Sequence, residues 1–396
     1  MRQLIFFFGT MLFGTLVQAQ SVFVLDAQVL KANKRSLESG SSKLQPAYDK
    51  LLMDAKSALK FGPVSVMEKK QVPPSGDKHD YMSIAPYHWP NPDTKDGLPY
   101  IRKDGQTNPE VNDFKDKEYL PALCEHVYVL GLAYFFSGDE SYAAHAADIL
   151  RVWFLKKETK MNPNLNFGQA VKGVNTGRGS GLIDTRHFVK LIDGIGLIQS
   201  SKHWKAEDQR GMQIWFADFL TWMEESEIGQ QELKAGNNHG VWYDAQRVSM
   251  ALFTGNQAKA KSVINHAMGR LDAQMDQDGR FPREMERTIS LHYNVFVIDA
   301  FLAIAAMADD AGLSIWNQTT PSGKSIEKAV NTFVPYLNKK KPWDGPQIKP
   351  YPDHESTGLL AYAASRYNCK TCWRDLENLQ PDLYKSLRIH LLTPSH

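Results

Sequence analysis

The run Asn237-Asn238-His239-Gly240-Val241-Trp242-Tyr243-Asp244 places two side-chain amides and an imidazole on consecutive residues, followed by a glycine and aromatics. A carboxamide grips an anionic oxygen without becoming charged, and an imidazole moves a proton near neutral pH. A lone histidine is more often structural than catalytic; the adjacent amides and Gly240 tilt His239 toward chemistry. A second polar run, Phe281-Pro282-Arg283-Glu284-Met285-Glu286-Arg287-Thr288-Ile289-Ser290-Leu291-His292-Tyr293, leads into an apolar helix. Arg287 and Tyr293 are expected on the first turns of that helix. Its N-terminus favours anions, and an arginine there clamps a carboxylate with two parallel hydrogen bonds. The competing reading of this run is a capping and salt-bridge cluster with Tyr293 half-buried.

Two further groups are candidates for substrate contact. Tyr81, Tyr87, His88, Trp89, Tyr100, Arg102 and Lys103 fall within one segment rich in Pro, Gly and Asp. Aromatic faces stack on sugar rings, and the cations suit an acidic sugar; packing of the same aromatics on helices is the alternative. Gln169, Asn175, Arg178, Arg186 and His187 surround Gly173, Gly177, Gly179 and Gly181. No phosphate-loop pattern accompanies these glycines, so a substrate-contacting loop fits better. His354-Glu355 lacks the second histidine of a zincin, and no Gly-x-Ser-x-Gly elbow is present. No convincing metal-ligand set is visible, and no cofactor is expected.

The elements that must position these residues are helical. Met212, Trp215, Phe216, Phe219, Leu220 and Met223 recur at three- and four-residue steps on one face. Residues 44–59, 120–136, 142–154, 187–199 and 288–307 behave similarly, and Ser137-Gly138-Asp139 and Thr254-Gly255-Asn256 punctuate helix ends. Strand-type alternation is rare. Helix, turn, helix spacing suggests antiparallel hairpins closing into an α/α toroid with a groove at one end. Residues 72–112 and 161–181 resist helix assignment, and loops of this length in a compact domain are usually functional. No linker splits the chain, so 20–396 reads as a single all-α domain.

The bulk properties narrow the class. A 396-residue chain with nine tryptophans can bury a large core, and its net charge of +2, with acids and bases interspersed, gives no sign of a nucleic-acid partner. Residues 1–19 read as a secretory signal: Arg2, a short apolar stretch, and small residues ending at Ala19. The expected product is an exported protein, periplasmic or secreted, with no membrane span after cleavage. Cys369 and Cys372 are spaced for a local disulfide in an oxidising compartment, and Cys124 reads as a core thiol.

Several motifs in order carry a resemblance. Asp80-Tyr81-Met82-Ser83-Ile84-Ala85-Pro86-Tyr87-His88-Trp89-Pro90, Pro99 to Gly105, Asn237-Asn238-His239, and Phe281-Pro282-Arg283-Glu284 to Tyr293 resemble the signatures of the alginate lyase superfamily, over residues 80–299. The resemblance implies an α/α toroid and a polysaccharide lyase acting on an acidic, uronic-acid glycan, of family five or a related uronan lyase family. It places the catalytic set on Asn238, His239, Arg287 and Tyr293. Tyr87, His88, Trp89, Gln169, Arg178, Arg186, Trp242 and His292 are the candidate substrate contacts. Asn238 and Arg287 would neutralise the uronate carboxylate, Tyr293 would protonate the departing O4, and His239 would assist neutralisation or act as the base. A glycoside hydrolase using Glu284, Glu286 or Asp244, and a non-catalytic uronan-binding protein, are the rivals.

Overall fold

The computed structural model describes residues 21–394. The leader expected at residues 1–19 lies outside the described residues. The chain forms α1 (Ala27–Glu38), α2 (Gln45–Ala58), α3 (Lys115–Ser137), α4 (Glu140–Leu150), α5 (Phe188–Ile198), α6 (Ala206–Glu225), α7 (Glu227–Leu233), α8 (Asn238–Phe253), α9 (Gln257–Gln274), α10 (Pro282–Met285), α11 (Ser290–Asp310), α12 (Ile326–Leu337), α13 (Thr357–Arg366), α14 (Cys372–Leu379) and α15 (Ile389–Leu392). The architecture is the expected α/α toroid. Helix α3 packs on α5, α5 on α8, α8 on α11 and α11 on α13, while α4, α9, α12 and α14 back α3, α8, α11 and α13 in turn. The first and last described helices meet: α15 packs on α1 and α2, and Asn33 Nδ2 donates to the carbonyls of Leu391 and Thr393 at 3.0 and 2.8 Å.

Local chemistry explains the breaks. Gly138 adopts the left-handed conformation that ends α3, and Asp139 then caps α4 by accepting from the Ser141 N–H. Helices α3 and α11 are apolar nearly all round because both are inner helices. This differs from the expectation that no stretch after the leader approaches a membrane span. Both are long and apolar enough to cross one, but 72% and 78% of their most apolar windows lie buried inside the protein.

The two segments without helical periodicity hold small sheets. Strand β1 (Met82–Ile84) pairs in parallel with β4 (Phe167–Ala170), and β2 (His88–Trp89) pairs antiparallel with β3 (Ile101–Arg102). The 3₁₀ turns of Gly179–His187 then lead into α5, so His187 precedes that helix rather than opening it. Beneath them, buried Asp184 accepts from Tyr81, Ser83 and Gln169, and its ion pair with Lys117 ties α3 to both segments. Cys369 and Cys372 form a disulfide, and Cys124 is free and buried, its thiol pKa pushed up by burial.

Candidate active site

A cavity of about 600 Å³ opens where the N-terminal ends of α8 and α11 meet the two long segments. Ten of the twelve candidate residues line it: Tyr87, His88, Gln169, Arg178, Arg186, Asn238, His239, Arg287, His292 and Tyr293. Two do not. Trp242 lies on α8 with its indole N–H donated to the Phe296 carbonyl at 3.1 Å and its ring packed on Phe296. Trp89 donates to the Gln106 carbonyl at 2.9 Å and lies beneath the Lys103 ammonium. Neither indole is part of the cavity lining, because aromatic composition does not say which face of an element a ring occupies. Asn237, the other amide of the run, also lines the cavity.

Three polar groups near the α8 and α11 ends, Arg287, His239 and Asn238, are each held by a carboxylate. Arg287 lies in the loop between α10 and α11, three residues before the helix on which it was expected. Its Nε and Nη2 donate to Asp104 at 3.1 and 2.7 Å, and Thr288 adds its backbone N–H and hydroxyl, each at 3.1 Å. Burial opposes the charge on both partners, but their hydrogen bonds outweigh it. They hold the guanidinium pKa above its ordinary value and the Asp104 carboxyl far below the usual carboxylate range. The guanidinium stacks 3.6 Å from the centroid of the Tyr293 ring. The Tyr293 hydroxyl donates to that of Tyr87 at 2.9 Å, and burial pushes its pKa well up, so the phenol is protonated at neutral pH.

His239 Nδ1 lies 2.7 Å from Oε1 of Glu232 at the end of α7. With Nδ1–H donated there, Nε2 keeps its lone pair for chemistry. Asn238, buried in the first turn of α8, is held by Glu284 through its backbone N–H at 2.6 Å and its Nδ2 at 2.9 Å. Asp104, Glu232 and Lys117 were not among the sequence candidates. Glu284 was legible only as part of the second polar run and as a carboxylate for the rival hydrolase reading, not as a partner of Asn238.

The opposite wall is cationic. Arg178 donates to the Gln169 carbonyl and Oε1, and Arg186 stacks on Phe296; burial lowers the pKa of both. Gln169 is a non-glycine residue at φ 48°, pinned by Ser83 and Asp184. Strain of this kind concentrates where side chains must be aimed at a ligand. His292 is held through Nδ1 by Gln347 at 2.8 Å, with burial lowering its pKa. Among the described residues, no group of three or more His, Cys, Asp or Glu side chains is placed to hold a metal.

The carboxylates named for hydrolysis are engaged elsewhere. Glu284 is buried against Asn238, Glu286 is exposed away from the cavity, and Asp244 is buried in ion pairs with Arg247 and Arg270. Of the carboxylates that do line the cavity, Glu232 is committed to His239 and Glu355 lies 4.0 Å from His292 Nε2; the amides, imidazole, phenol and arginines beside them suit proton removal next to a carboxylate better than hydrolysis by a carboxylate pair.

A family model described as alginate lyase matches residues 65–343. The chain belongs to the alginate lyase family. A crystal structure of an alginate lyase from Bacteroides ovatus is 39% identical and superposes with a TM-score of 0.89, covering 94% of this chain and 99% of that one. Alginate lyase A1-III from Sphingomonas species A1 shares 15% identity with a TM-score of 0.61, over 97% of this chain and 100% of that one, which is a likeness of fold. A histidine-to-alanine variant of A1-III, solved in complex with a tetrasaccharide, matches at the same TM-score of 0.61 over 96% of this chain and 98% of that one. No curated protein matches the chain. As a member of the alginate lyase family, the protein is a polysaccharide lyase, and the expected fold and enzyme class both hold.

Proposed function

We propose that this lyase cleaves alginate, or a glucuronan-type polymer, by β-elimination and leaves a 4,5-unsaturated uronate at the new non-reducing end. The observation that carries the reading is the convergence of Asn238, His239, Arg287 and Tyr293 on one cationic cavity. The C5 hydrogen of a uronate is weakly acidic while its carboxylate is ionised. Hydrogen-bond donors fixed against that carboxylate let the developing enolate charge spread onto it. Arg287 and Asn238 fill this role. A base then takes the C5 proton, the C5–H electrons become the C4–C5 double bond, and the C4–O4 bond breaks as an acid protonates O4.

Where the C5 hydrogen and O4 lie on opposite faces of the ring, His239 takes the proton through Nε2 and Tyr293 gives its own to O4. Where both lie on one face, Tyr293 first releases its own proton to solvent; the phenolate, with Arg287 over its ring, then takes the C5 proton and hands that proton to O4. Arg178 and Arg186 bind carboxylates along the glycan, and Tyr87, His88, Gln169 and His292 contact its sugars. The relative from Bacteroides ovatus, described as an alginate lyase, supports this substrate class. Export supports access to such a polymer: residues 1–19 have the leader pattern, and the Cys369–Cys372 disulfide suits an oxidising compartment.

Ultraviolet absorbance of the unsaturated product, measured against polymannuronate, polyguluronate and glucuronan, tests the reading. Rising absorbance on at least one polymer, abolished in Tyr293→Phe with binding retained, is expected. Reducing ends released without absorbance would make the reaction a hydrolysis and refute the proposal.

A further inference from the structure

The three carboxylates behind the site are not equivalent. Asp104 faces the guanidinium of Arg287, and Glu232 faces the imidazole of His239. Glu284 faces amides alone: the backbone N–H of Asn238 at 2.6 Å and its Nδ2 at 2.9 Å from both carboxylate oxygens. It is 1% exposed. The charged groups around it are Arg287 from its own loop and His239 from the first turn of α8. Each of these already has a carboxylate of its own, and the neighbouring Arg283 is exposed, beside Gly236. Among the described residues, no cation forms an ion pair with Glu284.

The same arrangement leaves Asn238 Oδ1 buried without a hydrogen-bond partner among the described residues. Such an orphan is costly and usually marks a missing partner. It also commits Nδ2, the end that could donate to a substrate carboxylate, to Glu284. The two ends of a carboxamide have the same shape. Turning the amide over puts Nδ2 on the cavity and Oδ1 against Glu284. An ionised carboxylate would repel Oδ1, whereas a carboxylic acid donates its O–H to it and still accepts the Asn238 backbone N–H through its carbonyl oxygen.

We propose that Glu284 carries a proton in the substrate-bound enzyme and donates it to Asn238 Oδ1, so that Asn238 presents Nδ2 to the uronate carboxylate. This rests on the reading of the cavity as a uronate site. Burial favours the neutral acid and raises the pKa of Glu284. The N-terminus of α8 favours its charge in the empty site. A substrate carboxylate arriving at that N-terminus is a second negative charge, and it shifts Glu284 to the acid by uptake of one proton from solvent. Glu284 is then a positioning residue that makes substrate binding proton-linked.

Infrared difference spectroscopy on addition of a mannuronate tetrasaccharide to Tyr293→Phe enzyme reads the proton directly. The expected result is a protonated-carboxyl C=O band that appears on binding and is missing from Tyr293→Phe/Glu284→Gln. In steady-state kinetics, Glu284→Gln supplies the same donor and acceptor and rescues the loss seen in Glu284→Ala. The KM of the wild type rises by up to about tenfold per pH unit above the Glu284 titration, and that limb is missing in Glu284→Gln. A tetrasaccharide that binds without the band, or a folded Glu284→Gln as impaired as Glu284→Ala, overturns the proposal. A band with no unsaturated product from the wild type would instead refute the lyase chemistry and leave the proton assignment standing.

Discussion

Replacing Asp104 by asparagine probes how much of the site depends on the charge behind Arg287. Asp104 accepts from two guanidinium nitrogens and from both donors of Thr288, and the two side chains are only 17% and 14% exposed. Asparagine keeps the shape and one acceptor, but turns charge-assisted hydrogen bonds into neutral ones of about half the strength. Charge-assisted bonds contribute roughly 1.5–3 kcal/mol each, so halving two of them costs about 1.5–3 kcal/mol. At about 1.4 kcal/mol per decade, kcat/KM on the preferred uronan should fall roughly 10- to 150-fold if that cost appears as lost fixation of Arg287 over Tyr293. The assay is the initial rate of ultraviolet absorbance over a substrate series, with the melting temperature measured alongside. A lowered melting temperature with kcat/KM within about threefold of wild type would refute the reasoning and make Asp104 a loop anchor only.

Other outcomes follow from the same contacts. Glu232→Gln keeps an acceptor for His239 Nδ1–H but removes the charge that stabilises the imidazolium; kcat should fall roughly 10- to 100-fold with little change in KM, and an unchanged kcat would remove His239 from proton transfer. Burial, with Arg186 beside it, lowers the pKa of His187 to about 3. The unfolded chain therefore binds a proton that the native chain refuses between about pH 6.5 and pH 3, and stability falls as pH drops through that window. Urea midpoints at pH 7 and pH 5 should converge in His187→Gln relative to wild type; equal losses in both would exclude the histidine as the cause. A Cβ at Gly177 would collide with the carbonyl of Asn166, so Gly177→Ala should destabilise by about 1–3 kcal/mol and displace Arg178, read as a lower melting temperature with a raised KM.

The features legible in the residue order are local ones. Helical periodicity located α3, α6 and α11, because one face of each must be buried and the 3.6-residue repeat records which face. The ordered motifs fixed the family, and the residue types at Asn238, His239 and Tyr293 indicated the chemistry. The absence of periodicity in residues 72–112 and 161–181 marked them as site-forming segments, although the short strands within them were too brief to leave an alternating pattern.

Which groups meet depends on packing between distant segments. Asp104 and Arg287 are 183 positions apart, and nothing local to either names the other. Glu284 reads as part of a polar run, yet it turns inward to Asn238 because α10 carries it beneath the first turn of α8. Trp242 shares a motif and, three and four positions on, a helix face with His239 and Asn238, yet one turn further along α8 its ring packs behind Phe296 and does not line the cavity itself. A sequence states which side chains are available, whereas long-range packing selects the partners, and those partners set the charge and aim of each functional group.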